Sequence, residues 1–151
     1  MGRTTRLEEG RFSYAERLKG TLPHGMRLDG IKVVIDCASG AGYKVAPEVL
    51  WELGATVIPV GTHPDGFNIN EGCGSTAPRT AAETIVTHGA DVGICLDGDA
   101  DRVMILDEHG NVADGDQIMG LFANRWAQAD RLNLSLIPIS EPTRQAESSH
   151  A

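Results

Sequence analysis

Three aspartates at alternate positions, Asp97, Asp99 and Asp101, interrupt the apolar stretch GICLDGDADRVMIL, and Arg102 directly follows the last of them. Carboxylates this close repel one another, and apolar flanks aggravate the repulsion by penalising the charged form. A divalent cation relieves it, because carboxylates are hard oxygen ligands suited to magnesium, calcium or manganese. Alternate residues of a straight strand lie about 6.6 Å apart, too far for three to share one ion. The chain must therefore curl, and Gly98 and Ala100 permit that. The expectation is a metal-binding loop at the carboxyl end of a strand over Asp91–Leu96, where ligands bind on open α/β sheets.

Other chemistries fit parts of the same stretch. Asp97, Asp99, Asp101 and Glu108 fall at positions one, three, five and twelve of a calcium loop of the EF-hand type. The sixth position of such a loop needs glycine for its sharp turn. Arg102 stands there, and VMIL reads as a strand rather than the start of a helix. Asp97 and Asp99 also have the spacing of an aspartyl phosphotransferase, in which one carboxylate is the nucleophile. The lysine and serine or threonine signals of that chemistry are not evident in order. A solvated acidic turn is the remaining alternative.

Strands and helices alternate along the chain that must hold this loop. Glu8–Lys19 has loosely helical apolar spacing, ended by Gly20 and Pro23. IKVVIDC, residues 31–37, is rich in β-branched residues and reads as a buried strand. ASGAGY makes a turn, and Pro47 suits the first turn of a helix closed by Gly54. ATVIPV, residues 55–60, is a second strand, which Pro59 either ends or confines to a sheet edge. Residues 61–78 form a long turn-rich loop, of the length that often carries function. A helix over Arg79–His88 stops at Gly89, strands follow over Asp91–Leu96 and Val103–Leu106, and Asp114 caps a helix from about Asp116 to Gln128. This alternation predicts an α/β layered domain with a mixed, largely parallel sheet of about four strands flanked by helices. The expected organisation is an N-terminal helix and linker over 1–23, the α/β domain over 24–131, and an unrelated or disordered tail over 132–151.

Bulk properties narrow the partners. A net charge of −8 in 151 residues argues against nucleic acid or an anionic membrane. No apolar run approaches the ~18 residues of a membrane span, and the charged N-terminus lacks a secretion signal. Cys37, Cys73 and Cys95 are odd in number and widely spaced, which fits reduced thiols in a cytoplasmic protein better than a disulfide framework or a zinc site. SGAG before a helix raises the possibility of a phosphate cradle of backbone N–H groups. A dinucleotide fingerprint, however, would need glycine where Val45 stands, so a tight turn is the default reading. Asp65 and Asn68–Asn70 either border the cleft or serve turn chemistry, His63 and His88 read as surface histidines, and Trp51, Met104 and Trp126 read as core or interface residues.

The metal loop LDGDADR resembles that of the α-D-phosphohexomutase superfamily, and IKVVIDCASGAGYKVAPEVLWELGA, PDGFNINEGCGS and VADGDQIMG resemble the second domain of its phosphoglucosamine mutase subgroup. The resemblance covers roughly Arg3 to Arg131. It implies a Mg2+ site with Asp97, Asp99 and Asp101 as ligands, a phosphorylated serine as the further ligand, and Arg102 as the catalytic residue beside that phosphate. It also implies a phosphosugar substrate, interconversion of glucosamine 6-phosphate and glucosamine 1-phosphate, and a homodimer for the intact enzyme. The family's Thr/Ser-Ala-Ser-His-Asn-Pro motif does not occur in the sequence, nor do its sugar-recognition and terminal phosphate-binding loops. A truncated fragment, inactive by itself, is therefore expected.

Overall fold

The structure is a computed structural model that describes residues 9–129. The expected tail over 132–151 lies outside the described residues. Those described divide into two units, with the boundary between Ala113 and Asp114.

In the first unit the order is α1 (Gly10–Lys19), β1 (Lys32–Asp36), a short 3-10 turn (Ala41–Tyr43), α2 (Val45–Glu52), β2 (Thr56–Val60), α3 (Arg79–His88), β3 (Val92–Leu96) and β4 (Val103–Leu106). The four strands form one sheet in the order β2-β1-β3-β4. β1 pairs parallel with both β2 and β3, and β4 closes the sheet antiparallel to β3. The sheet is thus mixed and largely parallel, as the alternation of elements predicts. From β1 the chain steps to one side to make β2, then crosses back to the other side to make β3. Right-handed crossovers therefore place α2 and α3 on opposite faces.

A central strand covered on both faces should be apolar throughout rather than alternating. The middle of β1 follows this, with consecutive Val33, Val34 and Ile35 all buried, while Asp36 at its end is buried and polar. On one face Val34, Cys95 and Leu106 pack with Ala81, Ile85 and Ala90 from α3 and its C-terminal turn. Met104 packs against this cluster, as expected of a core residue. Pro59 lies opposite Ile35 on edge strand β2, where a missing N–H leaves no ladder bond unmade. Gly89 ends α3 in the left-handed conformation, its N–H donating to the Ile85 carbonyl. On the outer side α1 is tied to α2 by Lys19 Nζ on Glu52 Oε2 at 2.6 Å and Arg11 Nε on Glu48 Oε2 at 3.5 Å. Trp51, on the exposed side of α2, is 71% exposed and so is not a core residue.

The second unit contributes α4 (Gly115–Gln128). Its start follows from Asp114 and Gln117, which form a reciprocal capping box. Phe122 and Trp126, one turn apart on α4, stack with ring centroids 5.7 Å apart. No described helix is long and apolar enough to cross a membrane.

Candidate metal centre

Parallel β1 and β3 end on the same edge of the sheet, and the aspartate loop grows from that edge. β3 runs to Leu96 and β4 starts at Val103, opposite Leu96 in the antiparallel register. Between them the chain turns tightly: Asp97 N–H donates to the Arg102 carbonyl, and Ala100 N–H donates to the Asp97 carbonyl at 3.0 Å. Ala100 takes a positive φ of 57° to make the curl. Each of the three aspartates thereby offers a carboxylate oxygen within 4.8 Å of those of the other two. Strands on both sides of the loop are incompatible with the helix–loop–helix of an EF-hand.

The three carboxylates are not equivalent. Asp97 is 1% exposed, whereas Asp99 and Asp101 face solvent. Arg102 grips Asp97 twice, with its backbone N–H on Oδ1 at 3.1 Å and its Nε on Oδ2 at 2.8 Å. Burial opposes ionisation of Asp97, but the Arg102 N–H and guanidinium and a hydrogen bond with Asp101 outweigh it, and hold its pKa down to about 2. Asp101 moves the other way, raised first by its hydrogen bond to Asp97 and then by the charges of Asp99 and Asp97. With both oxygens of Asp97 held and the side chain buried, a nucleophilic role for it is disfavoured.

This donor set fits a hard divalent cation. Oxygens across a Ca2+ ion stand up to about 5 Å apart and those across Mg2+ about 4 Å. Oxygens gathered within 4.8 Å of one another are close enough to share one such ion. Asp99 also borders a cavity of about 430 Å³ lined chiefly by small and apolar residues, among them Leu18, Gly42, Val45 and Leu96. That lining offers no cation for a phosphate, which leaves Arg102, 68% exposed at its side chain, as the basic group of the loop.

The flanking segments hold the loop in place through backbone contacts that residue types alone do not reveal. Ala41 N–H donates to the Gly98 carbonyl at 2.8 Å, and Ser75 N–H donates to the Leu96 carbonyl at 2.9 Å. Three of the four SGAG N–H groups are spent on protein carbonyls: Ser39 on Gly61, Gly40 on Cys37 and Ala41 on Gly98. The tight-turn reading therefore holds over the phosphate cradle. A Cβ on Gly40 would stand 2.2 Å from the Gly98 carbonyl oxygen, so this close approach requires glycine.

In the long loop, Asp65 Oδ1 accepts from the N–H groups of Phe67 and Asn68, and Asn68 Oδ1 accepts from Asp65 N–H. These are turn contacts. Ile69 and Asn70, in contrast, lie over Gly98 of the metal loop. His63 and His88 sit in exposed segments away from the aspartates, His88 bonding to the Thr84 carbonyl within α3. All three cysteines are buried free thiols. The residue missed in the sequence is Asp36, fully buried at the end of β1. Its only sequence signal is a charge at the end of an otherwise apolar strand.

Comparison with known proteins agrees with this geometry. Residues 13–110 match the family described as phosphoglucomutase/phosphomannomutase, α/β/α domain II. The chain is 66% identical over 132 residues to phosphoglucosamine mutase of Ruegeria pomeroyi, a match covering 87% of this chain and 30% of the relative. It is 70% identical over 127 residues to phosphoglucosamine mutase of Dinoroseobacter shibae, covering 84% of this chain and 28% of that protein. A crystal structure of a phosphoglucomutase/phosphomannomutase family protein from Burkholderia thailandensis superposes with a TM-score of 0.67 at 23% identity, covering 80% of this chain and 26% of that one. The chain thus spans about 30% of the length of the curated relatives it matches. It belongs to the phosphoglucomutase/phosphomannomutase family, as a partial chain carrying that family's α/β/α domain II.

Proposed function

We propose that this chain is the metal-binding domain of a phosphoglucosamine mutase, which interconverts glucosamine 6-phosphate and glucosamine 1-phosphate through a phosphoserine enzyme. The observation that carries the reading is the convergence of Asp97, Asp99 and Asp101 within 4.8 Å at the carboxyl edge of the sheet. The level of identity to phosphoglucosamine mutases supports the choice of sugar.

In this proposal the three aspartates hold Mg2+, with the phosphoserine supplied from elsewhere in the intact enzyme. When bound, the ion polarises phosphoryl oxygens and offsets their negative charge. Phosphoryl transfer depends mainly on alignment and electrostatic stabilisation, so the protein's task is to fix charges in place. Buried Asp97 is the fixed ligand, kept ionised and oriented by Arg102. Asp99 and Asp101, exposed at the loop tip, would supply the other two carboxylate ligands. Arg102 has a further role: its guanidinium has more donors than Asp97 uses, and the remainder can meet phosphate oxygens. The chain has ligands and an arginine but lacks the family's serine motif, so it is inactive alone. The proposed setting is cytoplasmic.

A chimera tests this directly. Residues 13–110 replace the corresponding segment of the Ruegeria pomeroyi relative, and conversion of glucosamine 6-phosphate is assayed with Mg2+ and a bisphosphate activator. The expected result is turnover in the chimera that falls by at least about 10–100-fold on Asp99→Asn, the scale that even outer-sphere partners of a metal command. Full activity after Asp99→Asn contradicts the metal assignment. Turnover by the unfused 151-residue chain contradicts the claim that it is inactive alone.

A further inference from the structure

Among the described residues, one fully buried acidic side chain lies outside the metal loop. Asp36 is fully buried at the end of central strand β1, next to the thiols of Cys37 and Cys95. Its two hydrogen bonds go to backbone groups of separate segments: Oδ1 accepts from Ala38 N–H at 2.9 Å and Oδ2 from Gly74 N–H at 2.7 Å. An unpaired buried carboxylate is strongly disfavoured, so its presence needs a compensating role.

Both fastened segments go on to grip the metal loop. After Ala38 the chain passes through two left-handed non-glycine residues, Ala38 with φ 54° and Ser39 with φ 48°, a strained pair that must be held by its surroundings. It then reaches Ala41, whose N–H binds the Gly98 carbonyl. Next to Gly74, Ser75 N–H binds the Leu96 carbonyl, one residue before Asp97. The two segments also meet: Asn70 N–H donates to the Ala38 carbonyl, and a Cβ on Gly74 would lie 2.5 Å from that of Ala38. Bridging two N–H donors at once calls for a side chain with two acceptor oxygens, which among residues of this size is aspartate.

We propose that Asp36 is a positioning residue for the metal loop, its carboxylate fastening the 38–41 and 74–75 segments so that they hold Leu96 and Gly98 on either side of Asp97. The inference rests on the metal reading of the Asp97–Asp101 loop.

Asp36→Asn tests it in the 151-residue chain, because the amide keeps size and one acceptor but turns a donor toward one of the two N–H groups. Two quantities are read: amide hydrogen exchange without metal, and Mn2+ affinity. The expected result is exchange at Ala41 and Ser75 faster by at least about tenfold relative to Val34, with Mn2+ binding weakened about 10–100-fold. Ile85→Val, a core change away from the clamp, should leave the ratio of Ala41 and Ser75 exchange to Val34 unaltered. Unchanged exchange at Ala41 and Ser75, or unchanged Mn2+ affinity, in a folded Asp36→Asn protein overturns the proposal. Should the wild type bind no Mn2+, the metal reading fails, and the clamp is judged by exchange alone on the same criterion. Should Asp36→Asn not fold, wild-type exchange decides: Ala38 and Gly74 amides protected as strongly as Val34 support the clamp, and exchange at exposed-loop rates overturns it.

Discussion

Arg102 holds Asp97 by two bonds of different kinds, a backbone N–H on Oδ1 at 3.1 Å and the guanidinium Nε on Oδ2 at 2.8 Å. One end of this pair is buried and the other is largely exposed. Asp97 is thus fixed from below while part of the Arg102 guanidinium stays available to solvent. Arg102→Ala removes the second bond and leaves the first. Its expected effect is a rise in the Asp97 pKa from about 2, followed by carboxyl-carbon NMR. The sign for stability follows from linkage. Asp97 titrates lower in the folded chain than its ordinary 3.8, so the unfolded chain takes up its proton first as pH falls. The stability it contributes is complete above that value and is lost toward pH 2. Urea midpoints between pH 2 and pH 4 should therefore fall less steeply in Arg102→Ala than in the wild type.

Asp101 titrates in the opposite sense, above its ordinary value, because it donates to Asp97 when protonated and sits against two other carboxylates. Protons and metal therefore compete for it at a higher pH than for an isolated aspartate. On acidification Mn2+ affinity should begin to decline at a higher pH than an unshifted aspartate would dictate. Asp101→Asn should bind more weakly, with less of this pH dependence. A titration series monitored by the electron paramagnetic resonance of free Mn2+ checks both.

Burial, reinforced by the nearby Asp36 charge, lifts the thiols of Cys37 and Cys95 to about 12. Cys73 is raised for the same two reasons, burial foremost. All three should resist a thiol-specific reagent at pH 8 until urea unfolds the chain, since the thiolate is the reactive form. The unfolded thiols ionise near 9, before the folded ones. Stability therefore falls as pH rises through the window from 9 to about 12. Prompt reaction of any of the three in the native chain contradicts the packing described.

Gly40→Ala forces a methyl group to within 2.2 Å of the Gly98 carbonyl oxygen, a backbone atom that cannot rotate away. The expected cost is about 1–3 kcal/mol, typical of overpacking. Denaturant unfolding measures it. The same substitution should weaken Mn2+ binding, because relief of the clash moves the turn that carries Asp97.

What was legible in the sequence depended on how local its physical cause was. Pro59 narrowed its strand to an end or a sheet edge, because a missing N–H is a property of one residue, and the edge is what the sheet order shows. Gly89 and Asp114 marked helix ends through single backbone and capping preferences. The aspartate loop was legible because three like charges beside apolar strands need an explanation wherever they occur. Asp36 was not legible: its two partners, Ala38 and Gly74, are brought together only by the folded sheet edge, 38 residues apart in the second case. For Trp51 bulk and apolarity leave core and interface both open, and only the packing of α2, which shows the side of that helix facing outward, removes the core.

The central claim is that Asp97, Asp99 and Asp101 form one divalent-cation site, and direct Mn2+ titration of the 151-residue chain tests it most directly. The predicted result is a single saturable site of modest affinity, since three carboxylates fill only part of a divalent cation's oxygen shell, weakened at least about tenfold by Asp97→Asn, Asp99→Asn or Asp101→Asn separately. Absence of saturable binding, or binding that survives all three substitutions, would contradict the account.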